Sequence, residues 1–95
     1  MHFKEFLRET GATARQIHYW RPRIPMATQV GRYYDYHKED VKKVRLLVEI
    51  SNCFGGKFSV DALEEVFYNF EEGAITFAND MRLEWSDVDL DEAPD

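Results

Sequence analysis

A chain of 95 residues, 44% hydrophobic and 32% charged, has the make-up of one soluble globular domain with a thin core. The lone Cys53 closes no internal disulfide and, without CxxC or HxxxH spacing, builds no zinc site; no run approaches the roughly 18 apolar residues of a membrane span. The net charge of −6 hides a split: Met1–Lys57 carries 11 Lys and Arg against 6 Asp and Glu (+5), whereas Phe58–Asp95 carries one Arg against 12 acids (−11), an asymmetry that suits nucleic-acid contact by the basic half as well as chance clustering of solvated charges.

Phe3, Phe6 and Leu7 recur at i, i+3 and i+4, predicting a short helix up to Thr10 that Gly11 stops in a left-handed conformation. This charged N-terminal segment has no apolar signal core, and with the single cysteine it points to a reducing cytoplasm. Thr13-Ala14-Arg15-Gln16 is a capping-box pattern: the Thr hydroxyl accepts from the third helical N–H and the Gln side chain reaches back. A second helix is predicted from Ala14 to Trp20, stopped by Pro22, which lacks an N–H and disfavours helix before it. Trp20, at its inward end, is expected in the core. Two short helices across a Gly-containing turn make a helix-turn-helix.

Arg21 to Arg32 reads as a loop punctuated by Pro22, Pro25 and Gly31. The aromatic-rich run Arg32-Tyr33-Tyr34-Asp35-Tyr36, bounded by Gly31, suits a short strand, which Met26–Val30 would pair as a hairpin. Val41, Val44, Leu46, Leu47 and Val48 predict a helix to about Phe54, with acids in its first turn, where the dipole favours them, and Gly55-Gly56 at its end. Cys53 is expected there as a buried or half-buried thiol. Ser59 is the candidate N-cap of a fourth helix carrying Val60, Leu63, Val66, Phe67 and Phe70 and closed by Gly73. Beyond Gly73 the period drops to two. A hairpin around Ala78-Asn79-Asp80 would put Ile75, Phe77, Met81, Leu83 and Trp85 on one face, although a last helix also fits. Residues 87–95 read as an acidic, disordered tail. The expected division is a domain over 1–72, a hairpin or short helix over 73–86 packing on it, and the tail.

Within this order, GATARQIHYW resembles the recognition segment of the MerR family of transcription regulators at Gly11, Thr13, Arg15, Ile17 and Tyr19, with Trp20 where a Tyr and His18 where an Arg is usual. VGRYYDYHKEDVKKVRLL is similar to that family's wing and following helix at Tyr36, Glu39, Asp40, Val41 and the apolar positions after them. FSVDALEEVF looks like its short helix after a Phe-Ser pair. The resemblance covers roughly residues 3 to 72. It implies a mainly α, winged helix-turn-helix domain with a small β wing that binds duplex DNA. Two departures stand out. The family's wing Arg falls on Tyr34 when counted back from Tyr36, with Arg32 two residues early. The family's long dimerisation helix has no counterpart in the residues after Glu72, which show no sustained heptads.

The second helix of such a motif turns its N-terminal side chains to base edges in the major groove. Arg15 suits a guanine and Gln16 an adenine, with Thr13 at the helix start and His18 and Tyr19 exposed nearby. Arg21 and Arg23 extend the positive surface, and Arg32 and Tyr34 on the wing, then Lys38, Lys42 and Lys43, offer backbone contacts. His18 reads equally as a plain surface residue, and Lys42, Lys43 and Arg45 as the solvated face of a core helix. His2 and His37 read as surface residues. The acids join no nucleophile, metal-ligand set or phosphate-binding Gly loop, so neither enzyme activity nor a cofactor is expected. The expected role is therefore a DNA-binding transcription regulator. Its partner is double-stranded DNA, with a homodimer or partner protein open and no membrane. A protein-interaction module on the same scaffold competes with it, docking a basic partner through the −11 surface and exposed aromatics such as Trp85. In one variant the tail folds back on the basic half and competes with DNA.

Overall fold

The computed structural model describes residues 1–55 and 57–93. Among them the chain runs α1 (Phe3–Thr10), α2 (Ala14–Trp20), β1 (Ala27–Val30), β2 (Tyr33–Tyr36), α3 (Val41–Cys53), α4 (Val60–Tyr68), β3 (Ala74–Thr76) and β4 (Arg82–Glu84). β1–β2 and β3–β4 are separate antiparallel pairs. The result is a mixed α/β fold, close to half helical.

The α1–α2 turn follows from its sequence. Gly11 takes φ 77° and donates its N–H to Leu7 O at 2.9 Å. The buried Thr10 hydroxyl donates to Phe6 O (2.7 Å) and accepts from the Ala12 N–H (3.2 Å), so the tight turn leaves no orphan donor there. The capping box is complete: Gln16 N–H donates to Thr13 Oγ1 (3.1 Å) and Thr13 N–H to Gln16 Oε1 (2.9 Å). The β1–β2 register pairs Val30 with Tyr33, which leaves Gly31-Arg32 as a two-residue turn. Gly31 at φ 61° supplies the positive φ that such a turn requires at its first central position.

α3 is the central element. Val44 to Val48 are buried on every side of it, because α1, α4 and the C-terminal segment all pack around it. Glu39 and Asp40 occupy a 3-10 turn leading into this helix. His37 is half-buried, not a free surface residue: its Nδ1 lies 3.0 Å from Asp40 Oδ2 and its Nε2 2.8 Å from Thr28 Oγ1, which ties the hairpin to the start of α3. Ser59 caps α4 by accepting from the Ala62 N–H at 3.1 Å. α4 stops at Tyr68, and Phe70 falls in a 3-10 turn that Gly73 closes at φ 76°.

The second hairpin forms around Ala78-Asn79-Asp80, with Ile75 opposite Leu83 and Asp80 in the left-handed conformation at φ 65°. An Asp tolerates that region better than most residues. Ile75, Phe77 and Leu83 are half-buried and Trp85 is buried, but Met81 lies exposed beyond the last ladder pair. Trp85 therefore differs from the exposed anchor expected for a docking surface. It is only 4% exposed, and its indole N–H donates to Phe70 O at 2.9 Å. Cys53 departs in the opposite direction: the last turn of α3 presents it to solvent while Ser51 takes the buried position.

Residues 87–93, expected to be disordered, lie along α3. Val88 N–H donates to Trp85 O, Leu90 packs half-buried on the core, Arg45 donates to Leu90 O at 2.7 Å, and Lys42 pairs with Asp91. Pro94 and Asp95, also assigned to the tail, lie outside the described residues. The physical reason is charge: an acidic segment meets the cations of α3 and brings one apolar residue, Leu90, with it. The Lys42 hydrogen bond and charge hold the Asp91 carboxyl below its ordinary range. A depressed carboxyl stabilises the docked tail above its ordinary value and loses that effect as pH falls through the lowered one. In an NMR titration, the Asp91 carboxyl is expected to titrate below the usual Asp value of about 3.9; titration at the usual value would show the tail free of α3.

Candidate nucleic-acid interface

At about 100° per residue, α2 turns Ile17 and Trp20 into the core and Ala14, Arg15, His18 and Tyr19 outward. Arg15 stands in the middle of the exposed face. On one flank the His18 ring stacks on Phe3, with centroids 5.3 Å apart and planes 7° from parallel. On the other, Tyr19 borders an open hollow of about 520 Å³ that Arg15, Gln16, Lys57 and Ser59 also line.

The β1–β2 hairpin joins this face through Arg21. Its Nη1 donates to the Tyr36 hydroxyl at 2.7 Å, and its guanidinium carbon lies 3.8 Å from the centre of the Tyr34 ring. Such a cation–π contact contributes about 0.5–1 kcal/mol at an exposed site. Tyr36 in turn packs on Phe3 and Tyr34, at centroid separations of 5.5 and 6.4 Å. His18, Phe3, Tyr36, Tyr34 and Arg21 thus form one row that fixes the hairpin against α2. Arg32 projects from the hairpin tip into solvent.

Other residues singled out in the sequence are drawn elsewhere. Gln16 already spends its side-chain oxygen on the Thr13 N–H, so paired hydrogen bonding to an adenine would break the capping box; only its amide N–H is free to donate. Arg23 turns away to α4, where it pairs with Asp61 and, at 3.3 Å, with Glu64. The Asp61 hydrogen bond and both carboxylate charges raise its pKa further and neutralise it as a site for phosphate. Lys38 is exposed but borders a different hollow, beside Glu5 and Glu9. The α3 cations are engaged within the fold. Lys42 pairs with Asp91. Lys43 lies 3.7 Å from Asp40 and 5.0 Å from the Phe67 ring centre, and Arg45 is buried against Glu9 and Leu90.

Two residues at this surface were not singled out from the sequence. Phe3 shares one face of α1 with Phe6 and Leu7, yet its outer side carries His18. Lys57 closes the basic half of the chain just after Gly55-Gly56, and the α3–α4 connection brings it beside Arg15 and Tyr19. Among the described residues, no group of three or more His, Cys, Asp or Glu is placed to hold a metal ion, and no helix is long and apolar enough to cross a membrane.

No protein-family model matches the chain, nor does any curated protein or solved structure.

Proposed function

We propose that the protein binds duplex DNA as a winged helix-turn-helix domain, in the manner of MerR-family transcription regulators. α2 would enter the major groove and the β1–β2 hairpin would lie on the adjoining backbone. One observation carries this reading. The α2–hairpin face gathers three cations, Arg15, Arg21 and Arg32, that form no ion pair among the described residues; Lys4, Arg8, Lys38 and Lys57 form none either, whereas Arg23, Lys42, Lys43 and Arg45 are paired with carboxylates. Uncompensated cations around an exposed helix are the electrostatic footprint of phosphate binding. Arg15 reads a base edge, with a paired contact to guanine as its best partner. Arg32 and Lys57 neutralise phosphates on either side of α2, setting position without reading sequence. No enzymatic step belongs to this proposal, and a regulator of this kind works in the cytoplasm.

The test is binding of the whole chain to mixed-sequence duplex, by fluorescence anisotropy at low and moderate salt. Affinity should fall steeply as salt rises. Arg15→Ala should weaken binding about tenfold, as expected for the loss of one paired base contact or of the phosphate contact that replaces it. Arg23→Ala should change it far less, because that charge is already neutralised within the fold. Absence of binding at low salt by the folded protein would reject the proposal, and equal losses for Arg15→Ala and Arg23→Ala would reject α2 as the contact helix.

A further inference from the structure

We infer that the chain also associates with a second copy of itself, head to tail, through the tip of the β1–β2 hairpin on one copy and a hollow beside α4 on the other. Each half of this contact is visible as surface that the fold leaves uncovered. At the hairpin tip, Val30 and Tyr33 are cross-strand partners with 60% and 79% of their surface exposed. They bracket Gly31 and Arg32, so the tip presents two apolar side chains and one cation on a narrow, two-residue turn. Scattered exposed apolar residues need no explanation, but two side by side at a protruding tip form a patch.

The receiving surface lies between the start of α4 and the turn of the second hairpin. There Phe58 packs between Phe54 (4.7 Å between ring centres) and Phe77 (5.8 Å), and Phe54 and Met81 remain exposed. Phe58, Ala62, Phe77 and Met81 line an open hollow of about 490 Å³ whose edge carries Asp61, Glu65 and one cation, Lys57. Asp61 is already held by Arg23. Glu65 forms no ion pair among the described residues, and Tyr68 stands exposed three residues further along the same helix. The chemistry is complementary: Val30 and Tyr33 enter the aromatic hollow, and Arg32 meets Glu65. The wider charge distribution favours the same orientation, because the tip belongs to the half with +5 and the hollow, apart from Lys57, is lined by the half with −11.

A tip and a hollow are different patches, so this contact is heterologous and propagates into rings or chains instead of closing as a two-fold dimer. A hairpin tip covers less than the roughly 1,200 Å² of a stable interface, so association belongs in the range of about 0.1 mM and above. It needs no DNA, and its failure leaves the DNA reading untouched. Where both hold, duplex and second copy exclude each other at the hairpin.

Sedimentation velocity on the DNA-free chain, from about 10 μM to 1 mM at low salt, tests it; those concentrations bracket the weak affinity a small contact gives. The average mass should rise with concentration in the native chain. Arg32→Glu alone and Glu65→Arg alone should both stay monomeric, since each sets like charges against each other. An equimolar mixture of the two variants should associate again: the Glu now at position 32 finds the Arg now at position 65, and the unaltered tip and hollow pair as before. A native chain that stays monomeric at 1 mM, single variants that assemble as the native chain does, or folded variants whose mixture stays monomeric would each overturn the inference.

Discussion

Arg45→Met is expected to lower the stability of the protein by about 3 kcal/mol, the scale for losing several hydrogen bonds from a buried charge. Arg45 is 8% exposed and joins three segments distant in sequence. Its Nε donates to Glu9 O at 2.6 Å, its Nη2 to Glu9 Oε2 at 3.2 Å and its Nη1 to Leu90 O at 2.7 Å. Methionine keeps most of the packing of the aliphatic stem but offers no donor. The end of α1 loses its link to α3, and the C-terminal segment loses its main backbone tether. The individual contributions do not add fully, because the Glu9 carboxylate retains access to water. The check is a shift of the urea midpoint, with faster amide exchange over residues 88–91. A loss below about 1 kcal/mol, a typical single hydrogen bond, would show that these segments are anchored by packing alone.

Trp20→Ala is expected to cost about 4 kcal/mol, within the range for truncating a buried large aromatic. Trp20 ends α2 and lies in the core with Ile17, Ile24 and Met26, and the backbone from Arg23 to Ile24 folds back onto its carbonyl. The cavity cannot close easily, because Pro22 and Pro25 restrict the segment beside it. Trp20→Phe should lose less than half as much. Fluorescence separates the two tryptophans: with Trp20 gone, the buried Trp85 still reports unfolding. A midpoint unchanged in Trp20→Ala would contradict the packing of α2 on the core.

Local signals were legible. Thr13 and Gln16 form their reciprocal cap, Gly11 stops α1, Gly31 turns the first hairpin, and Asp80 turns the second. Each is decided within a few residues by backbone geometry. Matters that depend on distant partners were not legible. Arg23 looked like part of a basic run until α4 placed two acids beside it. Arg45 and Lys42 looked like solvated charges because their partners, Glu9, Leu90 and Asp91, lie tens of residues away. The alternation around Trp85 marked its face correctly, but whether that face met solvent or the 3-10 turn at Phe70 depended on how the hairpin closed. The apolar character of α3 points Cys53 inward, yet the helix phase gives the inward seat to Ser51. At the candidate interface, residue types marked Arg15 and Arg32. The competition for the Gln16 oxygen is legible in the sequence, since a capping-box Gln cannot both accept from the Thr13 N–H and pair with a base edge.

The seating of Arg21 between the Tyr34 ring and the Tyr36 hydroxyl has a thermodynamic consequence. It sets the angle between the hairpin and α2 during folding. A ligand that bridges the two elements meets parts already preorganised, and so avoids the ordering cost of about 0.5–1.5 kcal/mol for each side chain that binding would otherwise immobilise. The heat-capacity change of such an association would then track the apolar surface buried at the contact, with no added component from coupled folding.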